Sequence, residues 1–177
     1  MLRLTHLTDA LWNPWLLGLF LLAAEPLEGR NAHEAGRGLL AKLYHDAFGE
    51  PLPPIENTAR GKPFFPGKDV YFSISHTKKN VFCVLADHPV GLDAEEMDRA
   101  VKPALAKHVL SPREFAQYER SSDPNCALLT FWVLKEAAAK LTGEGIQGYP
   151  NHTDFNLNDP RVQQRNGCLL AILEGEI

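Results

Sequence analysis

The 177-residue chain has only three cysteines, Cys83, Cys126 and Cys168, set far apart and without a CxxC pair. An odd, scattered set fits no simple disulfide framework and points to a reducing compartment, so a cytoplasmic protein is expected. A basic excess is also lacking: Lys plus Arg total 18 against 22 Asp plus Glu, a net charge of -4. That balance argues against a general nucleic-acid binder. No apolar run reaches the about 20 residues that a membrane-spanning helix needs. The nearly apolar stretch 11–24 is shorter, contains Asn13 and Pro14, follows Asp9 and shows no small-residue cleavage site after it. It is expected to be a buried element, with no role at a membrane. Solenoid-length repeats and low-complexity segments are missing as well. So are a GxxxxGK[ST] phosphate loop, a GxSxG elbow and, among seven histidines, any HExxH or Cys/His zinc spacing.

What is present is an ordinary globular composition, 45% hydrophobic and 23% charged, enough for a core in one domain or two small fused ones. A helix is predicted over 32–48, with Asn31 as cap, Glu34 in capping-box position and Gly49 as stop. Leu39, Leu40, Leu43, Tyr44 and Ala47 form its apolar stripe. A proline-rich loop over 50–68 follows, long enough to suggest a function. Val70, Phe72 and Ile74 then alternate with Tyr71, Ser73 and Ser75, which reads as a half-buried strand. Residues 81–86 read as a central strand and 90–95 as a third, together an antiparallel meander. Helical patterns cover 103–109 and 112–120. The strongest helix runs from Pro124 to about residue 141, with Asp123 as cap and Gly143 as stop. A last strand is expected at 168–173, after the Asn166-Gly167 turn. Sheet pieces with helices grouped beside them predict an α+β or layered α/β fold.

Chemistry concentrates in two of these elements. On the strand, Asp93 and Glu95 share one face, Gly91 leaves clear space on that face, and Val90, Leu92 and Ala94 take the other. Two adjacent carboxylates repel unless a cation joins them, although a solvent-facing acidic strand end reads the same way. In the last helix, Lys135, Glu136 and Lys140 sit among Leu128, Leu129, Phe131, Trp132, Val133 and Leu134. Glu136 and Lys140 share a face, either as an ordinary surface pair or as a buried carboxylate with its partner. Together Asp93, Glu95 and Glu136 would make an oxygen-only site suited to magnesium, with manganese also possible. The turn Arg60-Gly61-Lys62-Pro63 and the strand end Ser75-His76-Thr77 could hold phosphate oxygens.

In order, Gly61-Lys62-Pro63, residues 72–77, residues 90–95 and residues 131–140 resemble the 4′-phosphopantetheinyl transferases of the monomeric, surfactin-synthetase-activating type. The resemblance covers roughly residues 32–145. It implies two similar α/β lobes with mainly antiparallel sheets, 1–85 and 86–177, and the active site between them. The implied reaction is magnesium-dependent transfer of the phosphopantetheine arm from coenzyme A to a serine of an apo acyl or peptidyl carrier protein, releasing 3′,5′-ADP. It further implies that Asp93, Glu95 and Glu136 hold the metal and that Lys62, Ser75 and His76 contact coenzyme A phosphates. Lys140 would touch the pyrophosphate, and Glu114 falls where such enzymes have a proposed base. Upstream lysines for the 3′-phosphate are missing, with Arg30 and Arg37 as substitutes. Arg99, Lys102, Lys107 and Arg113 form a stretch free of acidic residues, either a carrier-docking surface or a solvated face. Two other functions fit the same residues: a metal-dependent coenzyme A or nucleotide pyrophosphatase, and a non-catalytic carrier-binding module.

Overall fold

A computed structural model of the chain describes residues 18–143 and 154–175. Its first sheet is built around β5 (Asn80–Ala86), every residue of which is buried. Antiparallel to it lie β1 (Phe20–Pro26) on one side and β4 (Tyr71–His76) on the other. The described part of the apolar stretch is therefore a strand, and it is only partly buried where a buried element was expected: Leu19 just before it is buried, residues 21–24 are half-buried and Phe20 is 40% exposed. Residues 11–17 lie outside the described residues.

The predicted meander breaks at its third strand. β6 (Val90–Glu96) pairs with β8 (Cys168–Glu174), which also pairs with β7 (Val162–Arg165), all antiparallel in a second sheet ordered β6-β8-β7. The reason is that a strand has only two hydrogen-bonding edges. With β1 and β4 on β5, no edge remains there for β6, and the chain crosses to the other sheet between Ala86 and Val90.

The sheets pack against each other through Leu22, Phe82 and Val84 of the first and Val90, Leu92, Leu170 and Ile172 of the second. Helix α1 (Ala32–Phe48) covers the outer face of the first sheet, setting Leu39, Leu40, Leu43 and Tyr44 against Val81, Cys83 and Leu85. Asn31 caps it by accepting the His33 and Glu34 N–H groups, and Gly49 closes it at φ 68°. The proline-rich stretch contains a small hairpin, β2 (Glu56–Asn57) with β3 (Pro63–Phe64). A 3-10 turn (Pro103–Leu105) leads into α2 (Ala106–Val109), followed by α3 (Pro112–Arg120).

Helix α4 (Pro124–Thr142) lies on the outer face of the second sheet, with Leu128, Phe131 and Leu134 against Leu169, Ala171 and Leu173. Asp123 caps it and Gly143, at φ 72°, ends it. The turn joining β7 to β8 has positive φ at both Asn166 and Gly167, as a tight hairpin demands. The architecture is α+β with antiparallel sheets. No helix among the described residues is long and apolar enough to cross a membrane.

Candidate active site

One glycine sets the geometry. A Cβ at Gly91 would lie 2.1 Å from the Ala137 carbonyl oxygen and 2.6 Å from the Leu141 nitrogen. The clear space predicted at this position is thus filled by α4, whose backbone rests directly on β6. Strand alternation aims Asp93 and Glu95 at this helix while Leu92 and Ala94 face the other sheet. Four-residue spacing on α4 then brings Glu136 and Lys140 over the same strand face.

Asp93 is 6% exposed, so its charge needs partners. Lys140 Nζ lies 2.7 Å from its Oδ1, and the Ser75 hydroxyl donates to the same oxygen at 2.9 Å. Lys140 also donates to Ser75 Oγ at 3.0 Å. Ser75 comes from β4, which runs alongside the edge of β6 that β8 leaves open. There Ser73 Oγ accepts from Leu92 N–H and Ser75 Oγ from Ala94 N–H. The serine face of β4, expected to meet solvent, is consequently buried, because a second sheet edge covers it.

Burial pushes the Glu136 carboxyl above its ordinary value, and the charges of Asp93 and then Glu95 push the same way against an opposing pull from Lys140. This is an excess of negative charge that a cation would relieve. Among the described residues, however, no three His, Cys, Asp or Glu side chains stand in metal-binding array. Lys140 lies on Asp93, and the Arg99 guanidinium pairs with Glu95. Carboxylate oxygens are the donors that a hard ion such as magnesium takes, but Asp93 and Glu95 are each already paired with a cationic side chain.

The remaining candidates divide. Lys62 reaches the C-terminal end of α4, where its Nζ donates to the Leu141 carbonyl, and burial lowers its pKa. His76 stands exposed at the end of β4, next to Ser75. Glu114 is not brought to this cluster's hydrogen bonds. It is 0% exposed and completes the cap of α3 with Ser111; Oε2 accepts from Ser111 N–H, and Oε1 from Phe155 N–H at 3.0 Å. Its Oε2 also lies 2.8 Å from Lys135 Nζ. Arg30 is tied to Glu25 and to the Pro26 carbonyl. Of the basic stretch, Lys102 and Lys107 are exposed, Arg99 is engaged by Glu95, and Arg113 is 3.4 Å from Asp154.

The Lys135–Glu114 pair is what the sequence reading missed. Lys135 is 2% exposed, and its Nζ also lies 5.8 Å from the Phe155 ring centroid. A lysine inside an apolar helix face was the available signal, since a buried charge requires a partner. Nothing in the spacing pointed to Glu114, 21 residues upstream.

Comparison with known proteins adds an independent line. Residues 89–172, which hold β6, α4 and most of β8, match the 4′-phosphopantetheinyl transferase superfamily. The chain is 32% identical over 92 residues to a 4′-phosphopantetheinyl transferase of Bacillus subtilis, covering 49% of this chain and 39% of that protein. It is 29% identical over 116 residues to the 4′-phosphopantetheinyl transferase psf-1 of Bacillus pumilus, covering 63% and 49%. With the 4′-phosphopantetheinyl transferase HetI of a Nostoc species the identity is 30% over 129 residues, covering 67% and 54%. The chain thus matches about half or less of the length of these relatives. The family resemblance read from the motifs is borne out.

Proposed function

We propose that this chain works as the family it resembles, transferring the 4′-phosphopantetheine arm from coenzyme A to a serine hydroxyl of an apo carrier protein. The observation that carries the reading is the convergence of Asp93, Glu136 and Lys140 where α4 rests on β6, with Ser75 of β4 closing the cluster. Side chains from both sheets meet there, which supports two lobes, 1–85 and 86–177, with the site between them.

In the reaction the serine oxygen forms a bond to the phosphorus that carries the pantetheine arm. The pyrophosphate P–O bond breaks, and 3′,5′-ADP leaves with the electron pair. Asp93, Glu95 and Glu136 would hold a magnesium ion, which when bound neutralises charge on the pyrophosphate. Lys140, freed to turn toward that group, adds a second positive charge where charge develops. Lys62, whose side chain reaches the C-terminal end of α4, and His76, at the end of β4, would meet phosphate oxygens. Glu114 is the base that the resemblance implies, and in that role it would take the serine proton. Glu114 would have to abandon Ser111, Lys135 and Phe155 to do so, and its surroundings favour a structural role. The exposed Lys102, Lys107 and Arg113 suit a carrier with acidic helices.

The deciding experiment is mass spectrometry of apo carrier proteins incubated with this chain, coenzyme A and magnesium. Arm addition by the wild type, falling by about 10²-fold or more in Asp93→Asn, is the expected result. Coenzyme A cleaved without a carrier would instead show a pyrophosphatase, and a carrier bound but unmodified a binding module.

A further inference from the structure

The turn that carries the chain from the first sheet to the second, Asp87-His88-Pro89, is fastened on both sides. Asp87 Oδ2 accepts the Leu19 N–H at 2.7 Å, and the Leu19 carbonyl accepts the Asp87 N–H at 3.1 Å, which ties the turn to the start of β1. On the other side the Gly175 N–H, just past β8, donates to the Pro89 carbonyl at 2.8 Å. Between these two attachments lies the His88 imidazole. Its Nδ1 is 2.7 Å from Asp87 Oδ1, and its Nε2 is 2.9 Å from Glu174 Oε2 at the end of β8. The groups facing the ring are thus Asp87 of its own turn, Glu174 of β8 and the uncharged Phe20 of β1, whose ring lies at 13° to the imidazole with centroids 6.3 Å apart. Among the described residues no lysine or arginine forms an ion pair with either carboxylate.

A neutral imidazole has one N–H and one lone pair. With a carboxylate at each nitrogen, either tautomer points that lone pair at an oxygen. Only the imidazolium can donate to both, and an imidazole gains and loses that proton near neutral pH. Nε2 is the nitrogen left over: it is closed off from solvent and makes no aligned hydrogen bond among the described residues, although Glu174 Oε2 is within reach. Glu174 is the partner able to leave. It is 57% exposed against 23% for Asp87, which Leu19 also holds. Burial pushes the Asp87 carboxyl up, but the Leu19 N–H and His88 outweigh it and hold the group below its ordinary value. We propose that His88 is a proton-operated clasp between the two sheets: charged, it grips Asp87 and Glu174 together, and neutral, it lets Glu174 go. The grip bears on the end of α4. A Cβ at Gly175 would lie 3.2 Å from Pro89 Cβ and 3.5 Å from Leu141 Cδ1, so the clasp abuts the helix turn whose Leu141 carbonyl takes the Lys62 amine. Releasing Glu174 loosens the end of β8 against which that turn rests. The clasp is independent of the transferase reading and is tested without turnover.

Thermal unfolding of the full chain is followed at about pH 5.5 and about pH 8.5, on either side of the ordinary imidazole value of about 6.5. Wild type, Glu174→Gln, His88→Gln and the double variant are compared. In the wild-type background Glu174→Gln is expected to lower Tm by about 1–3 °C at the acidic pH, the size of a partly exposed ion pair in a chain of this length. At the alkaline pH it should leave Tm unchanged. With His88→Gln already in place, adding Glu174→Gln should act equally at both pH values. Amide exchange at Gly175, corrected for its intrinsic dependence on pH, should quicken at the alkaline pH in wild type and be quick at both in His88→Gln. An equal effect of Glu174→Gln at both pH values, no effect at either, or a pH-dependent loss that survives in His88→Gln would each overturn the proposal. Corrected Gly175 exchange that ignores pH in wild type would do the same.

Discussion

Helices α1 and α4 each cover the outer face of a three-stranded antiparallel sheet, but they do so with different chemistry. The buried face of α1 is Ala35, Gly36, Leu39, Leu40, Leu43 and Tyr44. That of α4 includes Lys135, with Glu136 and Lys140 half-buried beside it. Close approach is arranged differently too. On α1 the helix supplies the glycine: a Cβ at Gly36 would come 2.8 Å from the Ile74 Cγ2 atom. On α4 the strand supplies it, at Gly91, and the obstacle is helix backbone. One contact buries apolar area and little else, which is a stable arrangement without a task. The other holds charge that its surroundings only partly compensate, as the raised proton affinity of Glu136 shows.

The sharpest way to break this contrast is to unbalance the α4 side. Lys135→Met leaves Glu114 charged and fully buried, and should lower stability by about 3–5 kcal/mol in urea unfolding. Adding Glu114→Gln to it should recover part of the loss, because the amide oxygen still accepts a hydrogen bond but carries no charge. A single variant as stable as wild type would mean the pair is not the buried contact described.

A smaller effect compares the glycines. Gly91→Ala should cost about 3 kcal/mol and displace Glu136 and Lys140 from Asp93, since backbone cannot yield. Gly36→Ala should cost about 1 kcal/mol, because a flexible isoleucine methyl can move. Equal costs, read from the same unfolding curves, would show the two helix–sheet contacts to be alike after all.

The smallest effect has the opposite sign. Burial and neighbouring carboxylates raise the proton affinity of Glu136 above its ordinary value of 4.5 in the folded chain. Its contribution is thus most favourable at acidic pH, below that ordinary value, and is lost as pH rises through the folded-state pKa. Glu136→Gln should accordingly raise Tm slightly at neutral pH in the absence of divalent cations. That gain should shrink as pH falls into the carboxylate range and should also shrink when magnesium is added to both proteins. A variant melting below wild type at neutral pH would remove the claim of uncompensated charge.

The helices were legible because their signals are local. Asn31 and Gly49 bound α1, and Asp123, Pro124 and Gly143 bound α4, as capping chemistry requires. The acidic strand face and the Glu136–Lys140 spacing were equally plain, since side-chain periodicity follows from backbone geometry. Three things were not legible. β1 lay inside a run whose apolar residues show no alternation, because both of its faces are covered, one by α1 and one by the second sheet. β7 is mostly exposed and polar, with Gln163 and Gln164 at its centre, and gives no hydrophobic pattern. The partner of β6 was misread because hairpin proximity favours the preceding strand, while β5 had no edge left to offer.

By itself the chain's order of residues determined where helices begin and end, which strand is central, and which carboxylates share a face. These depend on neighbours within a few positions, so local sterics and periodicity suffice. Folding alone decided that Lys140 and Ser75 would meet on Asp93, that Lys135 would be matched by Glu114, and that α4 rather than open space would fill the gap at Gly91. Those partners lie up to 65 residues apart, and charges so separated find each other only once the apolar faces of helices and sheets have packed.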